Sequence, residues 1–263
     1  MQNKVSLTSR YMAAVRAIEH QRPDRLFSDP LAEKLAGAEI IAEIAPRAQE
    51  YEDRGRPVVA VRTRFFDDFL MSSASSIRQV VILGAGMDTR AFRLPWHPDT
   101  YLYEIDQPDV IQLKESLLDS TPAICHRQVI PIDLRESWSE KLLQKGFETK
   151  SPSIWLLEGV LYYLTKTDAC DLLKTITDLS TDGSFLGADV LNEKMQKSDN
   201  GLAKYWLFGF DEPEKLFASF GWQADVVQFG DDTANFGRFK YKFPPREVLD
   251  IARGFLVTAR KKG

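Results

Sequence analysis

The sequence predicts an α/β fold: a mostly parallel sheet of seven strands with helices on both faces, preceded by a helical cap and interrupted by an inserted lid. Three observations lead there. From residue 76 onward, short apolar runs alternate with amphipathic segments, the pattern of repeated strand-helix units. Val80-Val81-Ile82-Leu83 runs into Gly84-Ala85-Gly86 and then Asp88-Thr89, so a buried strand turns sharply towards a helix. Acidic residues recur where successive strands end, the edge of an open α/β sheet at which ligands bind.

The elements follow in order. Ser9 to Glu19 carries apolar residues at helical spacing, Asp29-Pro30 opens a second helix through Leu35, and Arg62 to Leu70 suggests a third. After Ser72-Ser73-Ala74-Ser75-Ser76 the texture changes. Strands are expected at Gln79 to Leu83, Tyr101 to Ile105, Arg127 to Ile132, Ile154 to Leu157, Ser184 to Asp189, Gln223 to Phe229 and Phe255 to Ala259. Intervening helices are expected at Asp88 to Phe92, Pro108 to Leu118, Trp138 to Lys145, Lys166 to Leu179 and Glu212 to Phe220. No strong helix separates the last two strands and Gly230 to Pro245 looks irregular, which predicts a late antiparallel pair.

Asn192 to Gly209, ending in Leu202-Ala203-Lys204-Tyr205-Trp206-Leu207-Phe208, breaks the alternation and reads as a helical lid. The expected organisation is one domain, with a cap over 1–75, a cofactor-binding core over 76–191, the lid over 192–215 and the end of the core over 216–263. Cap and lid would cover the carboxyl ends of the strands.

A chain of 263 residues, 44% hydrophobic and 27% charged, can bury a sizeable core. Its net charge of −4 provides no general positive field, which argues against nucleic acid or anionic lipid as a partner. The first residues lack the apolar core of a secretion signal, and no apolar stretch approaches the roughly 20 residues that cross a bilayer. A cytoplasmic protein, monomer or homodimer, is expected. Cys125 and Cys170 lie far apart, and His20, His97 and His126 are scattered, so no metal site is expected and the cysteines read as buried free thiols.

The chemistry lies in the loop and the strand ends. Gly84, Ala85 and Gly86 would let a nucleotide cofactor approach the backbone closely. The third glycine of the dinucleotide fingerprint would fall at Thr89, which argues against a nicotinamide. Tyr103-Glu104-Ile105-Asp106 places two carboxylates where a ribose would sit, with Asp106 nearer the tip and preferred over Glu104. Asp133 can reach an adenine amino group while Leu134 packs on the ring, although Asp133 can equally serve as a helix-starting residue.

Glu158 is the one charge in Trp155-Leu156-Leu157-Glu158-Gly159-Val160-Leu161-Tyr162-Tyr163-Leu164 and needs a cation, either a bound ammonium or an internal arginine. Tyr162 and Tyr163 read as core residues or as the lining of an acceptor pocket. Of Arg62 and Arg64, Arg62 is the better candidate to clamp a ligand carboxylate, because Arg64 can pair within its helix with Asp67 or Asp68.

The string Leu83 to Leu94, with Tyr103-Glu-Ile-Asp106, Asp133-Leu134 and Leu157-Glu158-Gly159-Val160-Leu161, resembles the leucine carboxyl methyltransferase family, in particular its bacterial branch, which includes polyketide-tailoring O-methyltransferases. The likeness runs from about Arg10 to Ala259. It implies a Rossmann-like class I methyltransferase sheet and S-adenosyl-L-methionine as cofactor. By resemblance, Arg62 matches the arginine on the cofactor carboxylate, Gly84 the glycine contact and Asp106 the ribose ligand. Asp133 and Leu134 match the adenine contacts, and Glu158 the buried acid near the methionine end. The acceptor does not carry over, because the N-terminal segment and Lys194 to Phe210 are where its specificity would reside.

The expected reaction is in-line methyl transfer to an oxygen of a small molecule, with alignment as the main protein contribution. A carboxylate acceptor is ionised near neutral pH and needs no base; a phenol or alcohol needs one, and no catalytic residue stands out in the sequence. The competing readings are a non-catalytic S-adenosylmethionine-binding regulatory protein and a nicotinamide-dependent oxidoreductase.

Overall fold

The computed structural model describes residues 2–198 and 203–262, with side chains from residue 7. Four helices precede the sheet: α1 (Gln2–His20), α2 (Ala32–Ala36), α3 (Ala38–Asp53) and α4 (Val58–Ser73). The alternating part runs β1 (Gln79–Leu83), α5 (Arg90–Arg93), β2 (Tyr101–Asp106), α6 (Pro108–Leu118), β3 (His126–Pro131), α7 (Trp138–Gln144), β4 (Ser153–Leu157), α8 (Lys166–Leu179) and β5 (Phe185–Leu191). It closes with α9 (Glu193–Gln196), α10 (Pro213–Ala218), β6 (Trp222–Gln228) and β7 (Gly254–Lys261).

The sheet order is β3-β2-β1-β4-β5-β7-β6, parallel throughout except for β7, which pairs antiparallel with both β5 and β6. The expected late hairpin is thus present, with β7 inserted inside β6. The chain winds outward from β1 to β3 and then returns to place β4 beside β1, so the order reverses at the carboxyl end of β1, where Gly84 lies. Such a reversal leaves a crevice between diverging connections.

Alternation along the strands divides the core in two. Val81, Leu83, Tyr103, Trp155 and Leu157 pack against α7, α8 and α10. Val80, Ile82, Leu102, Leu156 and Leu256 face α4, whose buried residues Val61, Arg62, Phe66, Phe69, Leu70 and Ser73 recur at spacings of three and four. Arg62 therefore stands on the core-facing stripe and is carried over the strand tips. A third cluster joins α1, α2 and α3 to Met87 and Leu118.

Three expectations need correction. Helix α3 is not among the helices expected in the cap; it spans Ala38–Asp53 and contains Pro46. Pro46 is exposed, so water can satisfy the carbonyl it leaves unpaired. The lid is no continuous helix: the segment holds α9 and a single 3-10 turn at Ala203–Tyr205, while residues 199–202, including Leu202, lie outside the described residues. Asn192, whose side chain accepts from the Met195 N–H, starts α9, and the helix ends within a turn. The cysteines are free but only half-buried. Cys125 precedes edge strand β3, and Cys170 flanks the buried α8 stripe of Ala169, Leu172 and Leu173 rather than joining it.

Candidate active site

Gly84 has φ +64°, and a Cβ there would lie 2.6 Å from Val160 Cγ2, so only glycine permits this approach of the β1 and β4 ends. The next turn is tied to β2. The Ala85 N–H donates to the Ile105 carbonyl at 3.1 Å and the Gly86 N–H to Asp106 Oδ2 at 2.6 Å. Helix α5 begins only at Arg90 and has four residues, so it contributes little dipole; the expectation that a helix begins at Asp88 is corrected. Asp88 instead accepts the Arg90 N–H and pairs with the Arg90 guanidinium.

Glu104 and Asp106 occupy different settings. Glu104 is fully buried and holds Lys114 Nζ at 2.6 Å and Arg127 Nη2 at 2.7 Å, which makes it a core ion pair. Asp106, one pleat nearer the tip, accepts the Gly86 N–H and, through Oδ1, the Gln107 N–H at 2.6 Å. Burial pushes its pKa up to about 6, and those two N–H donors offset only part of the effect. Two of its roughly four acceptor positions remain for hydroxyls.

Gln107 links this carboxylate to the next, donating from Nε2 to Asp133 Oδ2 at 3.1 Å. Asp133 also receives the Arg135 N–H and its guanidinium, bonds that hold its pKa below the usual range. Arg135 is exposed, so a base amino group can take its place without disturbing the core. Leu134 is half-buried and packs against the sheet.

At the β4 end Glu158 lies between two arginines: Arg62 Nε at 3.0 Å from Oε1 and Arg90 Nη2 at 2.7 Å from Oε2. Of the two cations expected for it, the structure supplies internal guanidiniums. Burial disfavours its charge, but Arg90 and Arg62 outweigh that and keep its pKa below the ordinary glutamate value. The network continues from Arg62 Nη1 to Asp189 at 2.8 Å and the Tyr162 hydroxyl at 3.0 Å, and from Arg90 to Asp67 at 2.7 Å. Arg93 also holds Asp67, at 2.6 Å. Burial opposes ionisation of Asp88, yet Arg90, Lys114 and Arg16 bring its pKa down to about 2. Arg64 pairs with Asp68 one turn on, as its spacing allows.

From the sequence no role is expected for Arg90, Gln107 or Asp189, and Asp67 is offered only as a partner for Arg64. Asp189 stands near the end of β5, so the strand-end rule that selected Asp106 and Asp133 also selects it. Asp67 is left by Arg64, which takes Asp68, and is held instead by Arg90 and Arg93 of α5.

Beside this network lies a cavity of ≈ 680 Å³. Its walls are α1, α3, the start of α4, the lid and the segment from Phe229 to Gly254, and Arg62, Tyr162, Tyr163 and Asp189 are among its lining residues. Both tyrosines thus line a pocket, and Tyr162 is at the same time buried. The glycine loop lies outside this cavity and beneath α1: a Cβ on Gly86 would come 3.1 Å from Ser9 Cβ, and Arg16 donates to the Met87 carbonyl. His20, His97 and His126 are not among the cavity's lining residues; His126 stacks on Tyr101 at 4.8 Å. Among the described residues no cluster of side chains suits a metal ion, and no helix is long and apolar enough to cross a membrane.

The donor set matches a nucleoside carrying an amino acid. Asp106 has spare acceptor positions for vicinal hydroxyls, and among the described residues Arg62 Nη2 reaches only the weak acceptor Met12 Sδ, at 3.6 Å. A seven-stranded sheet of this order, with the glycine turn after β1 and an acid at the tip of β2, defines the class I methyltransferase fold. Comparisons agree. The leucine carboxyl methyltransferase family profile matches residues 10–177. A protein of Parafrankia sp. (strain EAN1pec), provisionally named as an S-adenosyl-L-methionine-dependent methyltransferase, is 41% identical over 98% of this chain and 87% of its own length. Two crystal structures share the fold at low identity. One, a DUF574 family protein of Streptomyces avermitilis MA-4680, has a TM-score of 0.63 at 18% identity, over 95% of this chain and 97% of that one. The other, a provisionally named methyltransferase of Thermobifida fusca YX, has a TM-score of 0.59 at 17% identity, over 97% and 94%. The chain belongs to the leucine carboxyl methyltransferase family and is an S-adenosyl-L-methionine-dependent methyltransferase. The nicotinamide and non-catalytic readings fall with that result.

Proposed function

We propose that this enzyme, acting as a single methyltransferase domain, esterifies a carboxylate on a small, largely apolar molecule held in the cavity between α1, α3 and the Phe229 to Gly254 segment. The observation that carries the reading is the lining: aromatic and aliphatic side chains dominate, three histidines lie elsewhere, and the acids present are engaged, Asp189 by Arg62 and Glu19 by Arg238. A carboxylate is already ionised near neutral pH, so such a site needs to exclude water and orient the acceptor, not deprotonate it.

In this reading Gly84, Ala85 and Gly86 form the backbone floor beneath the cofactor, Asp106 accepts from its ribose hydroxyls, and Asp133 and Leu134 hold the adenine edge and face. Arg62, fixed by Glu158 and Asp189, presents Nη2 to the amino-acid carboxylate. Glu158 acts by positioning: with Arg90 on its other oxygen it sets the plane of the Arg62 guanidinium. Bound, the cofactor supplies a methyl group on a positively charged sulfur. The aromatic wall of Tyr162, Tyr163 and Trp206 keeps that region dry and supplies ring faces for a cation.

The test is a panel of small carboxylic acids and phenols incubated with methyl-labelled cofactor and read by mass spectrometry. A labelled product that mild alkali hydrolyses back to the acid supports the proposal. Label found only in alkali-stable ethers overturns it in favour of a hydroxyl acceptor.

A further inference from the structure

Arg56 lies on the cavity wall with its guanidinium carbon 4.4 Å from the ring centre of Tyr241 and 5.2 Å from that of Phe243. The chain is shaped to bring it there. The Gly55 carbonyl accepts the N–H of Lys240 at 2.8 Å, which docks the Phe239 to Phe243 segment alongside, and the Arg56 N–H closes onto the Tyr51 carbonyl at 2.8 Å. Stacking uses the flat faces of a guanidinium and leaves its five N–H donors pointing outward in its plane.

Among the described residues, nothing accepts a hydrogen bond from those donors, and Nε is buried without a partner. The neighbouring acids are committed elsewhere: Glu50 to Arg54 at 2.5 Å and Glu52 to Arg238 at 2.7 Å. Of the other arginines lining the cavity, Arg22 and Arg54 are paired with Asp24 and Glu50, Arg47 lies over the Tyr51 ring at 5.9 Å, and Arg62 is the one assigned above to the cofactor carboxylate. A buried guanidinium donor with aromatic support and no internal acceptor is a place prepared for an anion.

We propose that Arg56 is the specificity-determining residue for the acceptor and receives its carboxylate, with the apolar body of the molecule against the aromatic and aliphatic lining. This rests on reading the cavity as the acceptor site. It also gives the product a way out: esterification removes the negative charge and with it the hold of Arg56, so acid binds and ester leaves.

The test is calorimetric titration of the enzyme, saturated with S-adenosylhomocysteine, with 3-phenylpropionate, 4-phenylbutyrate and 6-phenylhexanoate and with their methyl esters. Wild type is expected to bind at least one acid tenfold or more tighter than its ester, the scale of a charge-assisted hydrogen-bonded pair. Arg56→Gln should abolish the preference and Arg56→Lys retain part of it, with S-adenosylhomocysteine affinity unchanged in both as evidence of an intact fold. Equal affinity for acid and ester in wild type, no binding of any acid, or an undiminished preference in Arg56→Gln overturns the proposal. The wild-type comparison stands even if a variant fails to fold. No methyl transfer enters this readout, so an alkali-stable ether product together with an Arg56-dependent acid preference would remove the ester reading, and with it the release step, and leave Arg56 as the carboxylate-binding residue of the acceptor.

Discussion

Arg62 and Glu158, 96 residues apart in the chain, meet Nε to Oε1 at 3.0 Å, and Arg90 takes the second oxygen of the same carboxylate at 2.7 Å. Breaking a buried pair leaves an uncompensated charge, so Glu158→Ala is expected to lose about 3–5 kcal/mol of stability by urea denaturation at neutral pH. The folded pKa of Glu158 lies below its ordinary 4.5, so this contribution is complete above that value and is lost as pH falls through the lower folded pKa. The gap between wild type and Glu158→Gln should therefore narrow below pH 4.5. A gap that widens on acidification would contradict the pairing.

Asp106 has the opposite sign. With a folded pKa of about 6 against an ordinary 3.8, it costs the cofactor-free protein stability as pH rises from 3.8 through 6. Asp106→Asn should gain on wild type across that window, by on the order of 3 kcal/mol at most. Ribose hydroxyls favour the ionised form, so wild-type affinity for S-adenosylmethionine should rise through pH 6 while that of Asp106→Asn stays flat. A flat wild-type profile in calorimetry would exclude Asp106 as the hydroxyl acceptor.

Glu104 separates the core acid from the site acid. Glu104→Gln leaves Lys114 buried beside a neutral group and should destabilise by about 3–5 kcal/mol. Cofactor affinity of the folded fraction should stay within a factor of about three, less than 1 kcal/mol. A larger loss would place Glu104 in the site.

Gly84→Ala puts a Cβ at a position with φ +64° and 2.6 Å from Val160 Cγ2. It is expected to lose about 1–3 kcal/mol from the backbone alone, and more from the clash. Val160→Ala on the same background should restore part of the stability, because it removes the methyl that is struck. No rescue would show that the strain does not come from this contact.

The central strands were legible because β1, β2, β4 and β5 are short apolar runs bounded by turn residues, and the strand-end acids stood out within those runs. Even there, Glu104 and Asp106 differ by one pleat, and sequence could only prefer the tip; what separates them is Lys114 and Arg127 arriving from α6 and β3. Helix α3 was not legible as a separate element: it buries only Ile40, so its apolar stripe is faint, and it tolerates Pro46 because that residue is exposed. The arginine network stayed illegible for a different reason. Glu158 visibly required a cation, but choosing Arg62 and Arg90 over a ligand depends on α4 and α5 packing over the β4 tip, a tertiary fact with no local signature. Arg56 carries no sequence signal because its significance lies in the nearby acids Glu50 and Glu52 being taken by Arg54 and Arg238.

The most direct measurement of the central claim, that the acceptor is an already ionised carboxylate, is the pH dependence of kcat at saturating cofactor and acceptor between pH 6.5 and 9. A carboxylate acceptor, with an ordinary pKa near 4, predicts a flat profile. A rate that climbs about tenfold per pH unit before levelling would show a proton being removed from a hydroxyl, and would contradict it.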